Sequence, residues 1–120
     1  MKPEVKRWLD KAEHDFNTAK YNFKGDILDA AIFYAQQSVE KGLKTLLIQK
    51  EDKFQRTHDL VKLATKINAP KIIIELCAAI NPSYTVSRYP DVEQTFSKKE
   101  CENIIDSSEE VLKWIKERLH

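Results

Sequence analysis

The chain has 120 residues, enough for one domain with a substantial core and too few for two. Its 20 Lys and Arg nearly balance 19 Asp and Glu, a formal charge of +1, so bulk charge supplies no drive towards nucleic acid or an anionic membrane; any such contact must come from a local patch. Two Gly and four Pro, with 42% hydrophobic and 32% charged residues, speak for a helical protein and against a sheet or a disordered chain.

The opening MKPEVKRWLDKAEHD is too charged for a signal peptide, and no apolar run approaches the length of a membrane span. A cytoplasmic location is the expectation. The first helix should start at Pro3, a favoured first-turn residue, and carry Trp8, Ala12, Phe16, Ala19 and Phe23 on one stripe. Lys24-Gly25-Asp26 ends it, with Asp26 positioned to cap the next helix, and the two should pair as an antiparallel hairpin.

The second helix, running to about residue 50, is the centre of the reading. Leu28, Ala31, Ile32, Ala35, Val39, Leu43 and Leu46 share one broad face, and Ala30, Tyr34 and Ile48 supply apolar groups on another. Between them runs a polar line, Gln37, Glu40 and Lys44 at steps of three and four, with Gln36 one turn before Glu40 and with Phe33 and Leu47 closing the ends. Apolar groups around most of the circumference imply a central helix, so the polar line faces a groove, an internal network or a partner.

A polar connection at 51–56 leads to Thr57-His58-Asp59, which opens a shorter helix burying Leu60, Leu63, Ala64 and Ile67. Pro70 starts another, PKIIIELCAAI, apolar on most sides and expected well inside or against a second subunit. Asn81-Pro82 stops it. PSYTVSRYPDVEQTF, residues 82–96, is then a long loop for so economical a domain, which raises its prior for function. Ser97-Lys98-Lys99-Glu100 is a capping box, with Phe96 and Cys101 as a hydrophobic staple. The last helix carries Ile104, Ile105, Ser108, Val111, Leu112 and Ile115, with Trp114 beside them. Cys77 and Cys101 lack CxxC or Cys/His spacing and read as small core residues, not as a disulfide or zinc site.

Four pieces in order resemble the HEPN domain family: Trp8 with Ala12 to Ala19, AIFYAQQSVEKGLKTLL at 31–47, THDL at 57–60, and Tyr84 with RYPD at 88–91. The resemblance spans nearly the whole chain. It implies one all-α domain over 1–120, an up-and-down bundle of four main helices plus a short one with a long loop before the last. It also implies homodimers and partnership with a minimal nucleotidyltransferase in a toxin-antitoxin or nucleotide-handling pair. Many members are metal-independent ribonucleases working through an arginine followed after four to six residues by a histidine. This chain departs from that pattern, because the eligible positions after Arg88 hold Glu93, Gln94 and Thr95. Arg7 and His14 satisfy the spacing in the wrong part of the chain.

By residue type, His58-Asp59 is the acid/base candidate, since a carboxylate can orient an imidazole. The structural alternative is that Thr57 or Asp59 caps the helix while His58 bonds to Glu40. Glu40 and Lys44 form either a simple intrahelical pair or a partly buried cluster that binds a base and phosphate or fixes packing. Arg88, Tyr84 and Tyr89 offer a phosphate fork and stacking faces, or else anchor the loop.

Three readings follow. The first is a module whose groove, lined by Gln37, Glu40, Lys44, His58, Asp59, Tyr84, Arg88 and Tyr89, takes a nucleotide or RNA end. The second is a metal-independent endoribonuclease with a divergent site built on His58, Arg88 and Lys44. The third is a non-catalytic dimeric scaffold. None of them calls for a metal or cofactor, and the sequence leaves catalysis open.

Overall fold

A computed structural model describes residues 1–51, 56–81 and 96–120. Five helices occur among them and no strand: α1 (Pro3–Lys24), α2 (Leu28–Glu51), α3 (Leu60–Lys66), α4 (Lys71–Ile80) and α5 (Lys98–Lys116). The expected fold class, four main helices and one short one in an up-and-down bundle, is what forms. No described helix is long and apolar enough to cross a membrane.

α1 and α2 make the hairpin, and α2 is the hub, in contact with α1, α3 and α5. Between residues 38 and 48 every α2 residue except Lys41 is buried, and Val39, Leu43, Leu47 and Ile48 are essentially inaccessible. Each such side chain stabilises the fold by roughly 1.5–3 kcal/mol relative to exposure, so this one helix anchors the core. Its approach to α5 depends on Gly42: a Cβ there would lie 2.9 Å from Leu112 Cδ2 and 3.0 Å from Ile115 Cδ1.

The turn between α1 and α2 departs from the expectation. Gly25 keeps an ordinary negative φ, and Asp26 takes the left-handed conformation at φ 60°, a region that aspartate enters more readily than most residues. Asp26 does not cap α2; its carboxylate accepts from Lys98 Nζ at 2.7 Å, tying the turn to the start of α5. Asn68 makes the same left-handed turn after α3, at φ 58°.

Three other expectations need correction. Trp8 and Phe23 are half-buried, while Val5 and Asp15 join Ala12, Phe16 and Ala19 on the inner face of α1. Phe33 does not close the polar line from within, being 52% exposed. It packs edge-on against the neighbouring Tyr34 ring instead. Only Ile73, Cys77 and Ile80 of α4 are buried, and Ile72 stands 61% exposed, so of the two placements expected for α4, well inside or against a second subunit, the fully interior one does not hold among the described residues. The last helix follows expectation: Ser97 and Glu100 close a reciprocal capping box, with Cys101 in the core and Phe96 partly buried against it.

Both cysteines are fully buried and unpaired with each other. Burial pushes the Cys77 thiol up to about 12 and that of Cys101 up to about 11, so little thiolate exists at neutral pH. A thiol reagent at pH 8 should therefore label native protein no faster than the fold opens, and denatured protein at once; prompt labelling of native protein would contradict this burial. Both values lie above the ordinary 9.0. The unfolded chain thus loses protons first, and this contribution to stability fades as pH rises from about 9.

Candidate functional site

α2 turns Glu40 inward, where its side chain keeps 7% of its exposure, and Lys44 one turn later keeps 6%. Burying either charge alone would be prohibitive, whereas a hydrogen-bonded pair is tolerated. Lys44 Nζ donates to Glu40 Oε2 at 3.0 Å, in the acid-before-base order that an i,i+4 pair favours. The other carboxylate oxygen reaches a different element. Glu40 Oε1 lies 2.8 Å from Nδ1 of His58, just before α3, and that histidine side chain is 81% exposed.

This contact fixes the imidazole. Because a carboxylate accepts, the bond assigns the proton of the neutral ring to Nδ1 and leaves Nε2 as the acceptor on the outer side. Lys44 also lies over the Trp8 ring of α1, 5.8 Å from its centroid. A buried ion pair therefore links an exposed imidazole on one side to an indole on the other.

Asp59 is engaged within the fold. Its Oδ1 accepts from the backbone N–H of Val61 at 3.0 Å and of Lys62 at 3.3 Å, capping α3, and from Asn81 Nδ2 at 2.8 Å. Thr57 Oγ1 accepts from the Asp59 N–H. The carboxylate that orients His58 is thus Glu40, 18 residues away, while Asp59 holds the loop carrying it. Partial burial raises the Asp59 pKa, but the Asn81 bond, the two backbone donors and the Lys62 charge outweigh it and hold the carboxyl below 3.8. A depressed carboxyl stabilises the fold above the unfolded value and loses that contribution as pH falls through the folded one. Asp59→Ala should cost about 0.5–2 kcal/mol at pH 7, and the difference from wild type should shrink below pH 4. Equal melting temperatures at pH 7 would contradict the cap.

The polar line divides. Gln37 sits apart from His58, its Oε1 accepting from Lys41 Nζ at 3.4 Å. Lys41 pairs with the buried Asp15 of α1, which Lys11 also approaches at 3.9 Å. Gln36 is the inward amide, donating to the Ile80 carbonyl at 3.1 Å. Sequence reasoning missed Asp15, Lys41 and Asn81. A lone acid inside an apolar stripe was the available signal for Asp15. Arg7 and His14 share a face of α1 but lie about 10 Å apart along its axis. Tyr84, Arg88 and Tyr89 lie outside the described residues.

The HEPN domain family model matches residues 5–119. The chain belongs to the HEPN family. This HEPN domain is 31% identical to ST0689, an archaeal HEPN homologue, over 98% of both chains, with a TM-score of 0.80. TT1696 from Thermus thermophilus shares its fold at 23% identity, over 98% of this chain and all of that one, with a TM-score of 0.85. So does a HEPN domain protein of Thermotoga maritima, at 18% identity over 94% and 99% of the chains, with a TM-score of 0.75. No curated protein matches the chain.

Within the described part of this HEPN domain, no three His, Cys, Asp or Glu side chains gather as metal ligands. Its candidate chemistry rests on an oriented imidazole, a buried ion pair and the cations of α1 and α2.

Proposed function

We propose that this HEPN domain is a nucleotide- or RNA-binding interaction module, homodimeric and acting with a minimal nucleotidyltransferase in a toxin-antitoxin-type pair. The observation that carries the binding part is the exposed His58 ring held on a buried Glu40–Lys44 pair. Holding two charges out of water to fix one surface imidazole is costly, and a fixed ring recognises a phosphate or base edge at lower entropic cost than a mobile one. Family membership supports the pairing. The exposed Ile72 side of α4 supports a second copy as a partner. Titration calorimetry with AMP, ATP and a short single-stranded RNA tests binding, and His58→Ala should weaken it about tenfold. No heat with any of these, alone or with the partner, would remove the reading. Sedimentation at micromolar concentration should give a dimer; a monomer would remove that part.

The same contact favours a second reading, a metal-independent ribonuclease. A carboxylate-bound Nδ1–H leaves Nε2 to take the proton of an RNA 2′-hydroxyl. The 2′-oxygen then forms a bond to phosphorus, the bond to the 5′-oxygen breaks, and that oxygen takes a proton from water, giving a 2′,3′-cyclic phosphate and a 5′-hydroxyl. Cleavage in EDTA that His58→Ala abolishes would establish this reading. Intact RNA after prolonged incubation would exclude it.

A further inference from the structure

Residues 56–71 hold four Lys and Arg against a single acid, a net +3 inside a chain whose total is +1. The rest of the molecule is therefore slightly acidic, and the outer face of α5 shows it, with Glu102, Asp106, Glu109 and Glu110 all exposed. Such segregation creates a local potential that the total charge hides. The cationic segment is the one that carries His58.

α3 sets how these charges are presented. Leu60, Leu63 and Ala64 face the core, which leaves Lys62, Thr65 and Lys66 as the exposed side of the helix. The two lysines are one turn apart, about 6 Å along the axis, so their ammonium groups lie on one face at a separation that neighbouring phosphates of a strand can match. Elsewhere Lys6, Lys44, Lys98, Lys99 and Lys116 each lie within 3.2 Å of a carboxylate oxygen. Lys62 and Lys66 form no ion pair with any described residue. The one acid of the segment, Asp59, has its Oδ1 occupied by the α3 amides and by Asn81. Lys62 acts on it through its charge alone, which places that charge close to the loop of His58.

The exposed side of α3 carries no ring for a base to stack on and no groove for it to enter. What it offers is a row of ammonium groups, and these suit phosphates, whose contacts position a strand without reading its sequence. At the head of the row stands the His58 ring, fixed by Glu40. We propose that α3 is a phosphate track for single-stranded RNA: one nucleotide sits at His58, and the phosphates of its neighbours lie along Lys62 and Lys66. The proposal rests on the RNA-binding reading above and narrows its ligand from a nucleotide or RNA end to a strand of several nucleotides.

Length and salt dependence test it. Fluorescence anisotropy with labelled hexa-adenylate RNA, and calorimetry with AMP, should show the hexamer binding at least tenfold more tightly than AMP. Lys62→Ala with Lys66→Ala should weaken the hexamer about tenfold and lower the slope of log affinity against log salt by about 1.4, since each phosphate contact to a single strand contributes about 0.7. AMP should bind this variant as it binds wild type, whereas His58→Ala should weaken both ligands. Lys24→Ala with Lys113→Ala removes the same charge from α1 and α5 and should leave hexamer binding unchanged. Hexamer affinity and salt slope unaffected by the Lys62/Lys66 pair, with His58→Ala still weakening binding, would overturn the track and leave the His58 site standing. Equal weakening by the Lys24/Lys113 pair would also overturn it, as would AMP binding as tightly as the hexamer or losing as much affinity to the Lys62/Lys66 pair. No binding of RNA at all, by anisotropy or by calorimetry, would overturn this proposal and the RNA-binding reading together.

Discussion

Lys44→Met should destabilise the fold by about 3–5 kcal/mol, the cost of leaving a buried carboxylate without its partner. Glu40 keeps 7% exposure, and its remaining partner, His58, sits on a loop largely in water, so little can replace the lost ammonium. Thermal unfolding should show a fall of roughly 10 °C or more for a domain of this size. The companion variant separates stability from function. Replacing both partners, Glu40→Leu with Lys44→Met, should recover most of the loss, because well-packed apolar groups often match a buried ion pair. That double variant should still bind nucleotide or RNA poorly, since nothing then orients His58. If it binds like wild type, the pair only braces the bundle and the scaffold reading gains.

Gly42→Leu should be the most damaging substitution on the opposite side of α2, costing about 3 kcal/mol. A leucine regains roughly 1 kcal/mol of helix propensity over glycine. It must nonetheless place its Cβ about 3 Å from Leu112 and Ile115 and further atoms beyond them, and those two side chains are buried at 3% and 0% exposure. α5 would have to move away from α2. Denaturant unfolding should show a lower midpoint; a midpoint equal to wild type would mean that this interface has slack which the close approach denies.

The helices were legible because their signals are local. Pro3, Pro70 and the Ser97 capping box mark starts, and the inner faces of α2 and α5 follow the apolar spacing. Glu40 and Lys44 could be paired from sequence because one turn separates them. The failures share a cause in non-local packing. Gln36 and Gln37 both stand one turn from Glu40, yet they point about 100° apart, and only the placement of α4 shows that Gln36 is the inward one. Asp15 looks like an interruption of the α1 stripe until Lys41 arrives from α2 to neutralise it. Trp8 read as core because tryptophan usually does; its meeting with Lys44, 36 positions away, depends on the hairpin register. The partner of His58 was open between its neighbour Asp59 and the distant Glu40. The helix cap settled it, since Asp59 is occupied by the amides of α3.

One measurement bears most directly on the claim that the Glu40-held imidazole is a binding group. Ring signals of the three histidines can be followed by NMR while AMP or a short single-stranded RNA is added. The His58 signals should shift saturably, with Nδ1 protonated in the neutral ring before and after, while those of His120 stay in place. Stationary His58 signals at saturating ligand, or shifts of equal size at His58 and His120, would contradict it.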